Sequence, residues 1–438
     1  MTSASLTLFE FESVFCQDAA ELAAHQVPKL VFDWLVESCL KTSQEGAQAW
    51  LKLGQRKVKR CVQVTNFVGV IRAPNGYQIE VLPKVGKVGQ SENVRQARTL
   101  LIDMLRCLYR FRHIQTDSAH LSATRMPLLE VFIREFLLAV QLVVKRGMRS
   151  DYVSREDNLF ALRGKLLVAE HLRHNLIRAD RFFTSHDQFI PDRPENRLIH
   201  SALRQVVTMC QSPENQRIAR ELAFVFSDIP LSSNVRLDIQ RIRLDRGMNY
   251  YEPALDWTKL LLESHSPVSS QGEHEAPSLL FPMESLFEAY VAKHLAKQLS
   301  AQSFLKTQAS SQHLVTHEDQ LWFRLKPDLL VMHQKTTRLV LDTKWKLLDS
   351  AKKNGREKYQ LSQADFYQLY AYGHHYLGGT GDMVLIYPKT ESFTGPLPVF
   401  DFPKAKEEGM RLWVVPFCLK ARRLELPSAL QTHAVFAV

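Results

Sequence analysis

Residues 325–346, "LKPDLLVMHQKTTRLVLDTKWK", decide the fold of the second half of this 438-residue chain. Two β-prone runs, "DLLVMH" and "RLVLDTKWK", flank the polar segment "QKTT", and this pattern predicts an antiparallel hairpin. A turn placed at Lys335 and Thr336 sets Asp328 opposite Thr343 on the neighbouring strand. The hairpin is therefore expected to hold a carboxylate where an apolar sheet would otherwise continue.

Two further charged residues belong to the same place. Asp342 adjoins the position opposite Asp328, and Lys344, two residues later, leaves the same face of the strand as Asp342. Carboxylates this close repel one another unless a positive charge lies between them. Mg²⁺ suits them because it binds carboxylate oxygens and keeps water molecules for activation, and Mn²⁺ is expected to substitute. A lysine there can orient the water or stabilise charge on a phosphate, which indicates metal-assisted phosphodiester hydrolysis.

The rest of the second half predicts an α/β domain. The helix "PMESLFEAYVAKHLAKQL" precedes the strand candidates "QLWFRL", "DLLVMH" and "RLVLDTKWK", and the helix "QADFYQLYAYGHHY" separates them from "DMVLIYP" and "RLWVVPFCL". Helices alternating with strands in this way favour a mixed central sheet flanked by helices.

The first half predicts an α+β region with a helical bundle. The run "KVKRCVQVTNFVGVIRAPNGYQIEVLPKV" alternates around Asn75-Gly76, which is a strong hairpin signal, and amphipathic helices follow. The Ser-, Pro- and Gly-containing stretch near residue 263 is typical of a linker. These changes in pattern predict an α+β domain, a mostly helical domain, a linker and a C-terminal domain, at residues 1–120, 121–262, 263–279 and 280–438.

Composition places the chain in a broad class. A net charge of +10 suits nucleic acid, and the six cysteines show no Cys-x-x-Cys pair, so we expect free thiols in a reducing compartment. The sequence begins without a recognisable secretory signal, and the most apolar helix candidate is interrupted by charges. A soluble, cytoplasmic protein without a membrane span is expected.

The residues Pro327-Asp328 and Asp342-Thr343-Lys344 resemble the signature of the PD-(D/E)xK nuclease superfamily. The resemblance implies that Asp328 and Asp342 bind the metal and that Lys344 is catalytic. Gln368 and Tyr372, four apart on one helix, are similar to the Gln-x-x-x-Tyr element of some branches, which implies a catalytic role for them. Glu288 stands where members of the superfamily often carry an additional acidic metal ligand.

A wider resemblance covers roughly residues 60 to 390. The segments "GVIRAPNGYQIEVLPKV", "LRGKL", "DRPENRLIHSAL" and "MESLFEAYV", followed by the nuclease signature, resemble the McrC family in the same order. Members of that family are the nuclease subunits of McrBC-type modification-dependent restriction systems. The resemblance implies an McrB-like AAA+ GTPase as partner, whose hydrolysis this chain stimulates, and double-stranded DNA with modified cytosine as substrate. The first part of the chain, with a projecting "APNGYQIEVLPKV" hairpin, is expected to dock the partner.

Plainer interpretations stay open for several residues. Glu288 shares a helix face with Glu284 and is either a ligand or a solvated side chain. Gln368 and Tyr372 are either site residues or core residues with satisfied hydrogen bonds. The histidine pairs 313/317 and 374/375 lack a third ligand at suitable spacing, so a surface role is favoured over zinc.

The basic segment after Lys344 is predicted to contact DNA. It lies next to the proposed metal, where a phosphate backbone would have to run, and its candidate residues are Lys346, Lys352, Lys353 and Arg356. No complete phosphate-loop motif accompanies the chain. Two other functions remain: a motor-independent repair or defence nuclease of the same superfamily, and a non-catalytic DNA-binding adaptor. The intact Asp328, Asp342 and Lys344 argue against the adaptor.

Overall fold

The structure is a computed structural model. It describes residues 5–17, 25–44, 49–56, 59–84, 91–108, 111, 126–262, 279–402 and 409–436. The predicted linker 263–279 lies outside the described residues, apart from Leu279.

Helices and strands alternate irregularly along the chain. The helices are α1 (Lys29–Gln44), α2 (Ser91–Leu105), α3 (Leu128–Arg146), α4 (Val168–Asn175), α5 (Pro194–Met209), α6 (Pro213–Val225), α7 (Val235–Arg241), α8 (Glu252–Leu262), α9 (Met283–Leu295), α10 (Gln363–Leu377) and α11 (Ser428–Gln431). The strands of the first half are β1 (Ser5–Phe9), β2 (Ser13–Cys16), β3 (Gln26–Val27), β4 (Leu51–Arg56), β5 (Lys59–Val64), β6 (Phe67–Arg72), β7 (Gln78–Leu82), β8 (Asp151–Leu159), β9 (Lys165–Leu166) and β10 (Phe182–Ile190). Those of the second half are β11 (Leu279–Pro282), β12 (Ser303–Thr307), β13 (Gln312–His317), β14 (Gln320–Leu325), β15 (Leu329–His333), β16 (Thr336–Thr343), β17 (Gly381–Pro388), β18 (Phe400–Asp401), β19 (Met410–Cys418) and β20 (Arg423–Leu424).

The second half is built around a seven-stranded mixed sheet in the order β12-β15-β16-β17-β19-β18, with β20 paired to β19. β16 is antiparallel to β15 and parallel to β17, which is parallel to β19. Because side chains alternate along a strand, Val340 of β16 packs in the core beside Leu369 of α10, whereas Leu341 packs in the core that contains Phe287 of α9. The sheet therefore lies between two helices, and the predicted mixed α/β class is confirmed.

Two details of the predicted sheet are wrong. The run "QLWFRL" forms β14, but β14 pairs only with β13 in a separate two-stranded hairpin. Its side chains are exposed on both faces up to Arg324, so it has no buried face to place in a sheet. The edge position belongs instead to β12, whose polar and apolar residues gave no clear strand signal.

The predicted pairing of the central hairpin is two residues out beside the turn and one residue out from Val331 onward. His333 pairs with Thr336, and the turn is Gln334-Lys335, both with positive φ (48° and 68°). A two-residue turn with two left-handed residues matches the right-handed twist of the strands, which explains why the hairpin turns earlier than the polar segment indicates. An irregularity between Val331 and Met332 shifts the register by one residue, back toward the predicted pairing.

The first half contains two four-stranded sheets, in the orders β1-β7-β6-β11 and β3-β2-β5-β4. Their facing side chains and α1 enclose a separate core that includes Leu8, Val31, Val62 and Ile79. β11 comes from beyond the predicted linker and pairs with β6 through Leu279–Pro282. The chain that enters α9 is thus already part of the first half's sheet.

The Asn75-Gly76 hairpin prediction is confirmed, because β6 and β7 pair antiparallel on either side of that turn. The expectation that this hairpin projects is wrong. β7 lies between β1 and β6, and every residue of Gln78–Leu82 is buried. Pairing on both edges and packing on both faces hold the hairpin inside the sheet, so it offers no free surface beyond its turn.

A three-stranded sheet, β8-β10-β9, with helix α4 against it forms what we call the exposed arm (residues 151–190). Helices α3, α5, α6 and α8 pack on one another beside it. Their apolar side chains join those of β6, α9 and one face of the central sheet in a single hydrophobic core, which extends from Val68 to Phe436. The two halves of the chain therefore share one hydrophobic core.

None of the helices in the described ranges combines the length and the apolar character that crossing a membrane requires.

Candidate active site

The predicted catalytic residues meet where β15 begins and β16 ends. Asp328 lies immediately before β15, and its Oδ2 accepts hydrogen bonds from the Thr343 N–H at 2.7 Å and the Thr343 hydroxyl at 2.8 Å. These two bonds fix the Asp328 side chain against the end of β16. Asp342 and Lys344 flank Thr343 in sequence, so the hairpin brings all three charged residues to one point, as the alternation in the sequence indicates.

Asp342 is a charged group in an apolar setting. Only 1 % of its surface is exposed, and among the described residues neither carboxylate oxygen has a hydrogen-bond partner of proper geometry. The Lys344 Nζ lies 2.6 Å from Oδ2, so this contact is an ion pair without the direction of a good hydrogen bond. Burial raises the pKa of Asp342, the nearby charge of Asp328 raises it further, and Lys344 opposes both.

Lys344 is held from several sides. Besides Asp342, its Nζ lies 3.9 Å from the Asp365 Oδ1 and donates a hydrogen bond to the Gln368 Oε1 at 3.4 Å. Partial burial alone would lower the pKa of Lys344, but Asp342 and then Asp365 and Asp328 outweigh it, and the pKa is raised. The ammonium therefore stays charged and points toward the acidic cluster.

Helix α10 supplies the support for Lys344. Gln368 and Tyr372 are one helical turn apart, and the Gln368 side-chain amide donates to the Tyr372 hydroxyl at 2.7 Å. That hydroxyl donates to the Lys326 carbonyl at 2.9 Å, just before Asp328. The chain of hydrogen bonds runs from the segment that leads to Asp328, through the helix, to Lys344. Of the two α10 residues predicted from the sequence, Gln368 contacts Lys344 directly and Tyr372 reaches it through Gln368.

Glu288 reaches the cluster from α9. Burial raises the pKa of Glu288 to about 7, with Asp328 as the second cause and Asp342 as a smaller one, while a hydrogen bond from Gln308 opposes them. The carboxylate is thus close enough to feel both aspartates. Its assignment as a metal ligand stays a prediction.

The cluster suits a divalent cation in part. The two oxygens of the buried Asp342 lack hydrogen bonds, which is the kind of deficit that an ion would satisfy, and Asp328 adds a second carboxylate. Within the described ranges, no three His, Cys, Asp or Glu side chains close around one point as ligands of an ion. A site with two carboxylates and water fits Mg²⁺, which often takes only one or two protein carboxylates.

The histidine pairs lie at or near the surface. His317 and His374 are exposed, and His313 and His375 are partly exposed.

The basic segment after Lys344 is a loop on the surface. Lys346, Lys353 and Arg356 are exposed and Lys352 is partly buried, with its carbonyl accepting a hydrogen bond from the Tyr359 N–H at 2.7 Å. Lys346 donates to the Gln360 carbonyl, which ties the loop back to its own start. The loop that follows Lys344 therefore exposes Lys353 and Arg356 to solvent, together with Lys346, which is bonded to the Gln360 carbonyl. Their role in DNA contact stays a prediction.

Asp365 is the residue that the sequence analysis missed. It stands in the first turn of α10, three residues before Gln368, and also accepts a hydrogen bond from the buried Tyr387 hydroxyl at 3.3 Å. Residues three apart share a helix face, so its spacing to Gln368 was the available signal. Without the fold, nothing distinguished it from the solvated acids that commonly open helices.

The chain is similar to known proteins in sequence and in fold. Residues 62–388 match the model of the family described as "McrBC 5-methylcytosine restriction system component". Comparison with curated protein sequences found no match.

Two solved structures share the fold. One is the refined half-complex from the tetradecameric assembly of Thermococcus gammatolerans McrB AAA+ hexamers with bound McrC, with 18 % identity, 95 % of each chain covered and a TM-score of 0.66. The other is the Thermococcus gammatolerans McrBC complex, with 19 % identity, 67 % of this chain and 87 % of that chain covered, and a TM-score of 0.50. At these identities the likeness establishes the fold and leaves the site to be argued from its own residues.

Proposed function

Because the chain belongs to the McrBC 5-methylcytosine restriction system component family, we propose that it is the DNA-cutting subunit of such a system. The observation that carries the proposal is the convergence of Asp328, the buried Asp342 and Lys344 at one end of the β15–β16 hairpin. We further propose that residues 280–438 have the PD-(D/E)xK nuclease fold. An aspartate before one strand, an Asp-x-Lys on the next and a parallel strand beyond it support that assignment.

Each residue of the cluster has a proposed task. Asp328 and Asp342 would hold Mg²⁺, or Mn²⁺ in its place, with Glu288 as a candidate third ligand. Such an ion, when bound, supplies positive charge that lowers the pKa of water and neutralises phosphate oxygens. Lys344 stays protonated beside Asp342 and can donate a hydrogen bond to a phosphate oxygen as negative charge develops there. Gln368 orients the Lys344 ammonium, and Tyr372 fixes Gln368 to the segment that precedes Asp328.

Protonation is part of the proposed chemistry. Metal ligands must be deprotonated, and the pKa values of Asp342 and Glu288 are raised by burial and by mutual repulsion. Binding of a divalent cation would therefore displace protons from the acidic cluster. DNA would lie over the loop of Lys346, Lys352, Lys353 and Arg356, whose charges favour a phosphate backbone.

The exposed arm is the proposed docking surface for an AAA+ partner. Large apolar side chains there face solvent: Phe160 is 71 % exposed, Leu176 79 % and Ile177 95 %. Large exposed apolar side chains gathered in one small sheet-and-helix unit suit a protein interface. The chain shares its fold with a structure containing McrB AAA+ hexamers and bound McrC, so an McrB-like GTPase is the proposed occupant, with its hydrolysis stimulated by docking. A subunit that cuts DNA works where the DNA is, and the cytoplasm is the proposed location.

The test is a reconstituted cutting assay. The full chain and an McrB-like AAA+ protein from the same cell are mixed with Mg²⁺, GTP and a plasmid that is either methylated at cytosine or unmethylated. We expect cutting of the methylated plasmid only, and only when the partner and nucleotide are both present. Cutting that needs no partner would identify a motor-independent nuclease instead. DNA binding with no cutting under any of these conditions would identify a non-catalytic adaptor.

A further inference from the structure

Trp345, the residue after Lys344, is held by the beginning of the chain. Its indole N–H donates to both carboxylate oxygens of Glu10, each at 3.0 Å, although 335 positions separate the two residues. Glu10 follows β1 and is fully buried. The contact thus joins the first half's sheet to the strand end that carries Lys344.

Lys84 completes the contact from the end of β7. Its Nζ donates to the Trp345 carbonyl at 3.1 Å, and its own N–H donates to the Glu10 Oε1 at 3.2 Å. The Nζ also lies 4.7 Å from the centre of the Phe11 ring and 5.6 Å from that of Trp345. Glu10 and Lys84 are both buried. Glu10 binds the side chain of Trp345, and Lys84 binds its main chain.

Trp345 in turn adjoins two residues of the proposed site. Lys344 precedes it in the chain just after β16, and the two side chains point apart: Lys344 contacts Gln368 of α10, whereas Trp345 contacts Phe287 of α9. On its own face, the Trp345 ring packs 5.2 Å from Phe287, the residue before Glu288 on α9. A rotation of the Trp345 indole would therefore disturb the backbone of Lys344 and the helix turn that carries Glu288.

Buried charge of this kind is costly. A buried carboxylate and ammonium seldom stabilise a fold more than apolar residues of the same size, because both charges lose their hydration. The interaction instead fixes one geometry, because the indole N–H and the carbonyl of a single residue each have a charged partner. Because Trp345 is adjacent to Lys344, fixing Trp345 also fixes the main chain that carries Lys344.

We propose that Glu10 and Lys84 are positioning residues for DNA cutting: by holding Trp345, they set the placement of Lys344 and Glu288. The inference rests on the nuclease function proposed above and adds to it a link to the first half of the chain. Movement of β1 or β7 against the central sheet would reach the cutting site through Trp345.

The test uses the full chain with its AAA+ partner and two single variants. Glu10→Gln removes the negative charge and keeps the side-chain shape, and Trp345→Phe removes the indole N–H and keeps a ring against Phe287. The control is Arg422→Gln, which breaks the 2.8 Å ion pair between Arg422 and Asp103. That pair also joins the two halves of the chain, but through Asp103 of α2 and the segment after β19, not through the end of β16.

Two readouts separate positioning from folding. We expect Glu10→Gln and Trp345→Phe to lower kcat for cutting about tenfold or more, since small misplacements of reacting groups are costly, with KM for DNA unchanged. Arg422→Gln should cut like wild type. In protein labelled with 5-fluorotryptophan, the chain's six tryptophans give separate ¹⁹F signals, and Trp345→Phe identifies the one from Trp345. Glu10→Gln should displace that signal and leave the other five in place.

The outcomes are distinct. Wild-type cutting by Glu10→Gln, with the Trp345 signal displaced, would overturn the inference and leave the proposed function standing. Displacement of all six signals together with a loss of rate would mean that Glu10→Gln misfolds, and the rate of Trp345→Phe then decides: wild-type cutting by a folded Trp345→Phe would overturn the inference. A wild-type complex that cuts no DNA would overturn the proposed function and this inference together.

Discussion

The buried carboxylate of Asp342 indicates a site that needs a compensating positive charge. Burial in a sheet raises the free energy of its charged form, and a second carboxylate nearby raises it further, so only a compensating positive charge makes the arrangement stable. Lys344 supplies one such charge, and a divalent cation would supply more. The sequence indicated this much, because alternation along β16 puts Asp342 and Lys344 on one face. It could not indicate Asp365 or Glu10, whose contacts depend on α10 and on β1 folding against the strand end.

Glu10 provides a prediction about pH at the scale of one residue. Burial raises the pKa of Glu10 from 4.5 to about 7, with Glu284 as a minor further cause, against the lowering effects of Lys84 and the Trp345 indole. A raised folded pKa means that protonated Glu10 contributes stability that is fully present below pH 4.5 and lost as pH rises through about 7.

We expect the free energy of unfolding of wild type, relative to Glu10→Gln, to fall by up to roughly 3 kcal/mol between pH 4.5 and 8, since each pH unit of difference is worth about 1.4 kcal/mol. Denaturation in urea at a series of pH values measures this difference. Comparison with the variant removes the titration of Asp342 and Glu288, which both proteins share. Parallel curves would show that Glu10 does not titrate in this range.

Strands and helices were predictable here to the extent that their signals were local. The apolar patterns of "DMVLIYP" and of the α10 segment placed these elements correctly, and that of "RLVLDTKWK" placed β16, which ends at Thr343, three residues before the predicted end. The turn at Gln334-Lys335 and the isolation of β13 and β14 were missed, since both depend on twist and on competition between strands for edges. The pairing of β11 with β6 was equally invisible, as it joins segments more than two hundred residues apart.

The pairing of β11 with β6 can be tested at Gly69, where the two strands approach closely. Gly69 of β6 has φ +131°, and a Cβ there would lie 1.9 Å from the Leu279 carbonyl oxygen of β11. We expect Gly69→Ala to force the two strands apart and to lower the free energy of unfolding, with overpacking alone worth about 1–3 kcal/mol. The matched control is Gly76→Ala, where φ is +84° but no atom lies within 4 Å of the new Cβ.

Because Gly76→Ala carries the backbone strain without the collision, the difference between the two variants isolates the contact with β11. Thermal or chemical denaturation of both variants measures it. Equal losses of stability in the two would mean that β11 yields easily and contributes little to holding the halves together.

One hydrophobic core of the molecule contains residues on both sides of the domain boundaries that were predicted from the sequence. Apolar side chains of β6, of helices α3, α5, α6, α8 and α9, and of one face of the central sheet share one cluster, and Glu10 meets Trp345 across the same junction. Composition and periodicity marked residues 263–279 as a break, but they carry no information about which faces meet. The two halves are therefore expected to respond as one body when a partner binds.

Partner binding gives the prediction at this scale. Leu176 and Ile177, in the exposed arm, contribute apolar surface with little burial in the described fold, so the double variant Leu176→Glu/Ile177→Glu should fold normally. We expect it to bind the AAA+ partner at least about tenfold more weakly, because two charges would replace the desolvated centre of the interface. The control is Phe224→Glu, which alters an 80 % exposed apolar residue on α6.

Affinity for the purified partner and stimulation of its GTP hydrolysis are the measurements. An arm variant that binds and stimulates like wild type, or a Phe224→Glu variant that is equally impaired, would place the docking surface elsewhere.

The central claim, that Asp328, Asp342 and Lys344 form a metal-dependent cutting site, is tested most directly through Asp342. The rate of cutting of cytosine-methylated plasmid is measured for the full chain with its partner, in Mg²⁺, as wild type, Asp342→Ala and the control Asp401→Ala, which alters an exposed aspartate on β18 of the same sheet. The account predicts that Asp342→Ala loses at least about a hundredfold in rate while it still folds and binds the partner, and that Asp401→Ala cuts like wild type. A folded Asp342→Ala that cuts at the wild-type rate would contradict it.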